Sequence, residues 1–274
     1  MNTLLIPTDF SPVADNALRY GIAMAGAYNL DLTLYHVVQF TPPNLAHVVY
    51  VDDTPQMTKE AEQKMQEKMA ALQTEYPEIR FHTRVDTGFL IESLKSVCEE
   101  IQPVAVIMGL TGEGTVVDKI IGSNAILAMQ NLKNPLLIVP KKCEFKPVAN
   151  ICFASDLRKV ANSTPAVAIR VFAKLLGATL HVLNIDNANR ASDPAVAAEL
   201  GHLRDMFSDT PHAFHFLEEA DVQDAIQDFI QKENMDMLIV LPKKYSWFES
   251  LFHKSQSKEM AYHSHVPMLT LHMD

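Results

Sequence analysis

The sequence carries the same pattern twice, and this repeat constrains the fold of the 274-residue chain more than any other feature. Near the start, LLIPTDFSPVADNALRYGIAMAGAYNLDLTLYHVV is an apolar run closing on Thr8-Asp9, then a stretch of helical period, then a second apolar run closing on His36-Val37. From residue 151, ICFASDLRKVANSTPAVAIRVFAKLLGATLHVLNI keeps that order, with Ser155-Asp156 and His181-Val182 in the matching places. The halves also finish alike, Asn134-Pro135 preceding LLIV and Val266-Pro267 preceding MLTL. A repeat of this length reads as two copies of one domain, expected over 1–143 and 144–274. The junction, KKCEFKP at Lys141 to Pro147, is short and polar, so the halves are expected to pack together rather than hang on a flexible tether.

Within each half, short runs rich in β-formers alternate with longer segments of helical period, the signature of βαβ units. The expected fold class is therefore α/β, with an open five-stranded parallel sheet flanked by helices in each half. Strands are predicted at Thr3 to Pro7, Leu32 to Val38, Ile79 to Val85, Val104 to Met108 and Leu136 to Val139. Those of the second half are Asn150 to Ala154, Thr179 to Ile185, Ala213 to Leu217, Met237 to Leu241 and Met268 to His272. Ser11 is placed to cap the first helix, with Pro12 at its first position, where a missing N–H does no harm. A helix predicted from Met57 to Tyr76 sets Met57, Ala61, Met65, Met69 and Leu72 on one stripe, read as core contact.

Composition removes several classes of function. A formal charge of -10 without a basic block gives no positive field for sequence-independent nucleic-acid binding. No window has the apolar length that spans a bilayer, and the N-terminal residues lack a signal-like pattern, so no membrane association and a cytoplasmic location are expected. Cys98, Cys143 and Cys152 form no paired motif and are read as buried or incidental thiols. His263 and His265, with His253 and His272 nearby, follow no zinc spacing, and no metal site is assigned to them.

Ligands of open parallel sheets bind beyond the carboxyl ends of the strands, where strand order reverses. Asp9, just past the first strand, either accepts hydrogen bonds from a polar ligand or caps the next helix, and the sequence leaves both open. The fourth strand runs into GLTGEGTVVDKIIGSN, so Gly109, Gly112 and Gly114 fall together in a chain holding only nine glycines, with Gly122-Ser123 following. Such clustering lets backbone N–H groups approach phosphate oxygens. Neither the GxxxxGK[ST] loop nor a GxGxxG after the first strand is present.

The run Gly109-x2-Gly112-x9-Gly122-Ser123 resembles, without a gap, the G-x2-G-x9-G-[S/T] nucleotide motif of ATP-binding universal stress proteins. Pro7-Thr8-Asp9, the strand ending at His36-Val37, the Met108-Gly109 step and NPLLIVP extend the resemblance over the first half. It implies two tandem Rossmann-like domains of the HUP type, and ATP, AMP or ADP as ligand. The implied site comprises Pro7, Thr8, Asp9, Val37, Met108, Gly109, Gly112, Gly122, Ser123 and Asn124. Asp9 would meet the ribose or base edge, the Val37 backbone would border adenine, and the glycines with Ser123 and the Asn124 backbone would hold phosphates. Leu110 and Thr111 stand where some members carry a basic residue, which implies either weaker phosphate binding or a divalent cation such as Mg2+. Single-domain relatives pair through their last strands, so the resemblance also implies internal pairing of the two halves and leaves a homodimer open.

In the second half, the sequence following MLIVL is PKKYSWFESLFHKSQSKEM, which sets Pro242 opposite Gly109 and holds no glycine. No ATP is expected there. Tyr245, Trp247, Phe248 and Phe252 suggest a partner or inter-domain surface, and Lys243, Lys244, Lys254 and Ser255 could hold an anion. The expected function is nucleotide-binding regulation in a stress response, with no catalytic residue assigned. The alternatives are slow ATP hydrolysis or phosphotransfer at the same site, with Glu113 and Asp118 the nearby carboxylates, and an interaction module with vestigial sites. A bulky residue at Gly109 or Gly122 is expected to abolish binding and leave the fold intact.

Overall fold

Alternating apolar runs and amphipathic stretches resolve into strands and helices because each strand can bury both faces only if the intervening helices cover the sheet. The computed structural model describes residues 2–39, 54–110, 123–141, 143–185, 194–219, 221–242 and 266–273. The chain divides into two compact units, Met1–Lys141 and Lys142–Asp274.

In the first unit the order is β1 (Thr3–Pro7), α1 (Pro12–Tyr28), β2 (Asp31–Gln39), α2 (Thr54–Glu75), β3 (Phe81–Gly88), α3 (Leu90–Ile101), β4 (Ala105–Gly109), α4 (Ser123–Asn131) and β5 (Leu136–Val139). The strands are all parallel in the order β3-β2-β1-β4-β5. Leu4, Leu5, Ile6, Leu32, Leu34, Val106 and Ile107 are buried to 1% or less, and each such side chain contributes about 1.5–3 kcal/mol through burial. Helix α1 begins as expected, the Ser11 side chain accepting from the Ala14 N–H with Pro12 following. It stops at Asn29, whose left-handed conformation turns its N–H back onto the Ala25 carbonyl. The α2 stripe is core only in its middle: Ala61 and Met65 are buried, whereas Met57 is 45% exposed.

Strand β3 continues past the predicted Val85 to Gly88. Its polar residues do not end it because they find partners across the sheet edge. The Tyr35 hydroxyl donates to Asp86 Oδ2 at 2.8 Å, Arg84 Nε donates to both Asp86 oxygens, and Arg84 also reaches Glu100 of α3 at 2.6 Å.

The second unit runs β6 (Asn150–Ala154), a 3-10 turn (Val160–Asn162), α5 (Ala166–Leu176), β7 (Thr179–Ile185), α6 (Pro194–Met206), β8 (His212–Leu217), α7 (Val222–Lys232), β9 (Met237–Val240) and β10 (Met268–Thr270). Its parallel order is β10-β9-β6-β7-β8. Both units therefore place five strands in one order, as the repeat requires.

Register makes the correspondence residue by residue. Thr3 faces Asp31 and Pro7 faces Tyr35, while Asn150 faces Thr179 and Ala154 faces Leu183. The buried Thr3–Thr33 hydroxyl pair at 3.0 Å consequently occupies the place of the Asn150–His181 pair at 3.2 Å. The same register corrects the motif alignment: His36 corresponds to Asn184, not to His181. The two His-Val pairs look equivalent in sequence but lie three positions apart on the strand.

Candidate functional site

In the first unit the chain leaves β1 on one side to build β2 and β3, then returns across it to build β4 and β5. The reversal falls between β1 and β4, so the crevice lies beyond Pro7 and Gly109. Pro7 and Thr8 are buried, and Asp9 is exposed. The Thr8 N–H donates to the Tyr35 carbonyl, which carries the β1–β2 pairing one residue past the strand. The Thr8 hydroxyl then accepts from Phe10 N at 3.0 Å and Asp9 Oδ1 accepts from Ser11 N at 3.0 Å. Phe10 holds a φ of 61° between these two bonds, a left-handed turn uncommon for a non-glycine residue and secured here by side-chain acceptors on both sides. Asp9 thus caps this turn through Oδ1 and remains exposed.

Val37 and Met108 are buried under the ends of β2 and β4. Gly109 closes β4, and a Cβ there would meet the Val13 carbonyl oxygen at 2.5 Å. Its hydrogen is what allows the first turn of α1 to approach the sheet. The expectation that Gly109 tolerates a bulky residue without disturbing the fold is therefore corrected. Asn16, one turn further along α1, donates to the Pro140 carbonyl at 3.1 Å and fixes the helix over the end of β5. Ser123 and Asn124 begin α4, so their backbone N–H groups belong to the unsatisfied first turn of a helix. Helix α4 packs on α3 and β5, and a helix leading into a parallel strand starts above that strand's carboxyl end. Gly112, Gly114, Gly122, Glu113 and Asp118 lie outside the described residues.

Three residues at this edge were not assigned from sequence. Phe10 packs its ring on His36 at 4.8 Å, and Lys64 of α2 stands 5.8 Å over the Phe10 ring. His36 Nδ1 lies 2.7 Å from the Thr8 carbonyl oxygen, and because a carbonyl only accepts, Nδ1 carries the proton. Lys68, one turn beyond Lys64, pairs with Asp15 of α1. Helix α2 thereby brings a cation over the ring of Phe10, the residue after Asp9, although more than fifty residues separate the two along the chain. Lys64 is exposed in an amphipathic helix, and no sequence signal distinguishes it from its neighbours.

On the other face of β2, Tyr35 is fully buried. Burial and then the Asp86 carboxylate raise its hydroxyl well above the usual phenol range, so it stays a hydrogen-bond donor. This arrangement ties the carboxyl ends of β2 and β3 together behind the crevice.

The second unit repeats the turn after its first strand. Leu157 N donates to the Ser155 hydroxyl, Arg158 N donates to Asp156 Oδ1, and Leu157 has a φ of 50°. Asn184 Nδ2 donates to the Ser155 carbonyl as His36 does to that of Thr8. The likeness ends there. Register places Ala105 with Met237 and so aligns Gly109 with buried Leu241, which corrects the alignment to Pro242. A buried side chain stands where the first unit has only a hydrogen. In the corresponding stretch, α5 begins only at Ala166, after a 3-10 turn whose Lys159 and Val160 amides donate to the Glu199 carboxylate at 3.1 and 2.8 Å. Residues 243–265, including the aromatic cluster, Lys243, Lys244, Lys254, Ser255, His253, His263 and His265, lie outside the described residues.

The model of the universal stress protein family matches residues 1–140. The chain belongs to the universal stress protein family. Among solved structures, a universal stress protein from Archaeoglobus fulgidus DSM 4304 is 17% identical, with a TM-score of 0.70 over 99% of this chain and 96% of that one. A protein from Pseudomonas aeruginosa UCBPP-PA14, also described as a universal stress protein, is 11% identical, with a TM-score of 0.55 over 99% and 93% of the two chains. A universal stress protein in complex with cAMP is 18% identical, covering 50% of this chain and 96% of that one with a TM-score of 0.35. No curated protein matches the sequence. The whole-chain matches bear out the α/β fold of a universal stress protein carried through both halves. No described helix is long and apolar enough to cross a membrane.

Proposed function

We propose that the first unit of this universal stress protein binds ATP, or another adenine nucleotide, at the carboxyl edge of its sheet and acts through that ligand as a cytoplasmic stress-response regulator. The observation that carries the reading is the ungapped G-x2-G-x9-G-S run, whose first glycine closes β4 beside the strand-order reversal and whose serine opens α4. The residues present fit such a ligand. Asp9 is exposed with one oxygen engaged, and the first turn of α4 supplies N–H groups of the kind that hold phosphate. Asp9 would take the ribose hydroxyls, the Val37 backbone the base, and Ser123 with the glycine loop the phosphates, with Mg2+ adding the positive charge that Leu110 and Thr111 do not. Lys64 contributes a further cation at the crevice. The second unit is assigned no nucleotide, because Leu241 removes the glycine at the strand end and Pro242 has no N–H to offer.

Isothermal titration of the full chain with ATP and Mg2+ tests the assignment. Saturable binding is expected, weakened roughly tenfold or more by Gly122→Val, since a branched side chain blocks a backbone approach to phosphate. Unchanged affinity in Gly122→Val would remove the site from this loop.

A further inference from the structure

Strand β8 ends the sheet of the second unit, and its sequence, HAFHFL, lacks the features that usually close such an edge. It has no proline, no lysine and no carboxylate, whereas the edge strand of the first unit, β3, carries Arg84 bonded both to Asp86 and to Glu100. The register shows which β8 groups face outward. Leu180 N donates to the Pro211 carbonyl and Leu180 pairs with His212, so in a parallel ladder Ala213, His215 and Leu217 bond inward to β7. His212, Phe214 and Phe216 then turn their N–H and C=O groups away from the sheet, and among the described residues no strand takes them.

A cavity of about 620 Å³ runs between this edge and α7. Among the described residues, five carboxylates line it against a single ammonium, that of Lys232. Asp221, Asp224 and Asp228 recur at three- and four-residue spacing and so follow one stripe of α7. The opposite face of β8 carries Phe214 and Phe216 with His212: Phe216 is 50% exposed, and Phe214 packs under the Arg204 guanidinium. A strand laid along β8 would point alternate side chains into these two environments.

We propose that the β8 edge is a docking site for an extended basic peptide, added as a sixth strand, with lysine or arginine side chains toward α7 alternating with apolar ones toward Phe214 and Phe216. Main-chain bonds to His212, Phe214 and Phe216 supply affinity, and the acidic stripe supplies selection. Charge argues against a second copy of this chain as the occupant. Edge-to-edge pairing of two β8 strands would bring two acidic stripes together in a chain whose net charge is already -10.

The test uses fluorescein-labelled (Lys-Val)4 and the full chain, read by fluorescence anisotropy and amide hydrogen exchange. Saturable binding is expected, with slowed exchange at the amides of His212, Phe214 and Phe216. Asp224→Asn combined with Asp228→Asn should weaken binding roughly tenfold; Asp221 is left in place because its carboxylate caps α7 through the Asp224 N–H. The peptide methylated on alternate backbone nitrogens should not bind, a control that leaves the protein unaltered. Equal binding of (Glu-Val)4, equal binding of the methylated peptide, or absence of protection at the three amides would overturn the proposal. Protection that instead appears with protein concentration alone would assign the edge to a second copy and overturn it likewise.

Discussion

A methyl group added at Gly109 would lie 2.5 Å from the Val13 carbonyl oxygen and 2.7 Å from Val13 Cγ1, so Gly109→Ala must push back the first turn of α1. Overpacking of this kind costs about 1–3 kcal/mol. Urea denaturation should show a lowered midpoint with an unchanged slope, together with weaker ATP binding, and an unshifted midpoint would refute the contact. The glycine was legible in the sequence as the first of the G-x2-G-x9-G-S run, but its packing role was not, because Val13 is nearly a hundred residues away. The cysteines are a simpler case. Burial pushes the thiols of Cys98 and Cys152 up to about 12 and that of Cys143 up to about 11, so none is a thiolate near neutral pH. Iodoacetamide should leave all three unmodified in the folded chain and label them after denaturation.

At the scale of elements, β2 and β3 are joined through Tyr35, Asp86 and Arg84. Asp86→Ala removes the acceptor of a buried hydroxyl and should destabilise the first unit by about 1–3 kcal/mol, and Asp86→Asn, which keeps an acceptor, by less. Comparing the two variants by chemical denaturation checks this. In the second unit, β7 and β8 meet through His181 Nδ1 and His215 Nε2 at 3.0 Å, a bond that needs one nitrogen without a proton. Burial and then the charge of His215 hold His181 below the ordinary 6.5, with Glu233 acting in the opposite sense. The unfolded chain therefore takes up this proton at higher pH than the folded one. The contribution to stability is present above about 6.5 and is lost as pH falls below it. His181→Gln should show a smaller loss of thermal stability than the parent on going from about pH 7.5 to about pH 5.5. The strands themselves were readable from apolar runs, and four of the ten described have the predicted bounds. The polar extension of β3 was not readable, since the partners that sustain it come from β2 and α3.

At the scale of the molecule, two units of one topology differ at the end of the fourth strand of each sheet, Gly109 in one and Leu241 in the other. If ATP binds only the first, a hundredfold excess over Kd stabilises that unit by about 2.7 kcal/mol and leaves the second unchanged. Hydrogen exchange with and without ATP should therefore slow in β1 and β4 and remain constant in β6 and β9; slowing in both would refute the difference. The sequence by itself determined the duplication, the α/β class, the capped start of α1 and the G-x2-G-x9-G-S run, because each is written in local period, turn chemistry or fixed spacing. Tertiary structure decided which residues correspond between the halves, since strand register is set by pairing across the sheet and places His36 with Asn184 and Gly109 with Leu241. It also decided what gathers at the turn after β1. Phe10, His36 and Lys64 come from a turn, a strand and a helix that only the packed sheet brings together.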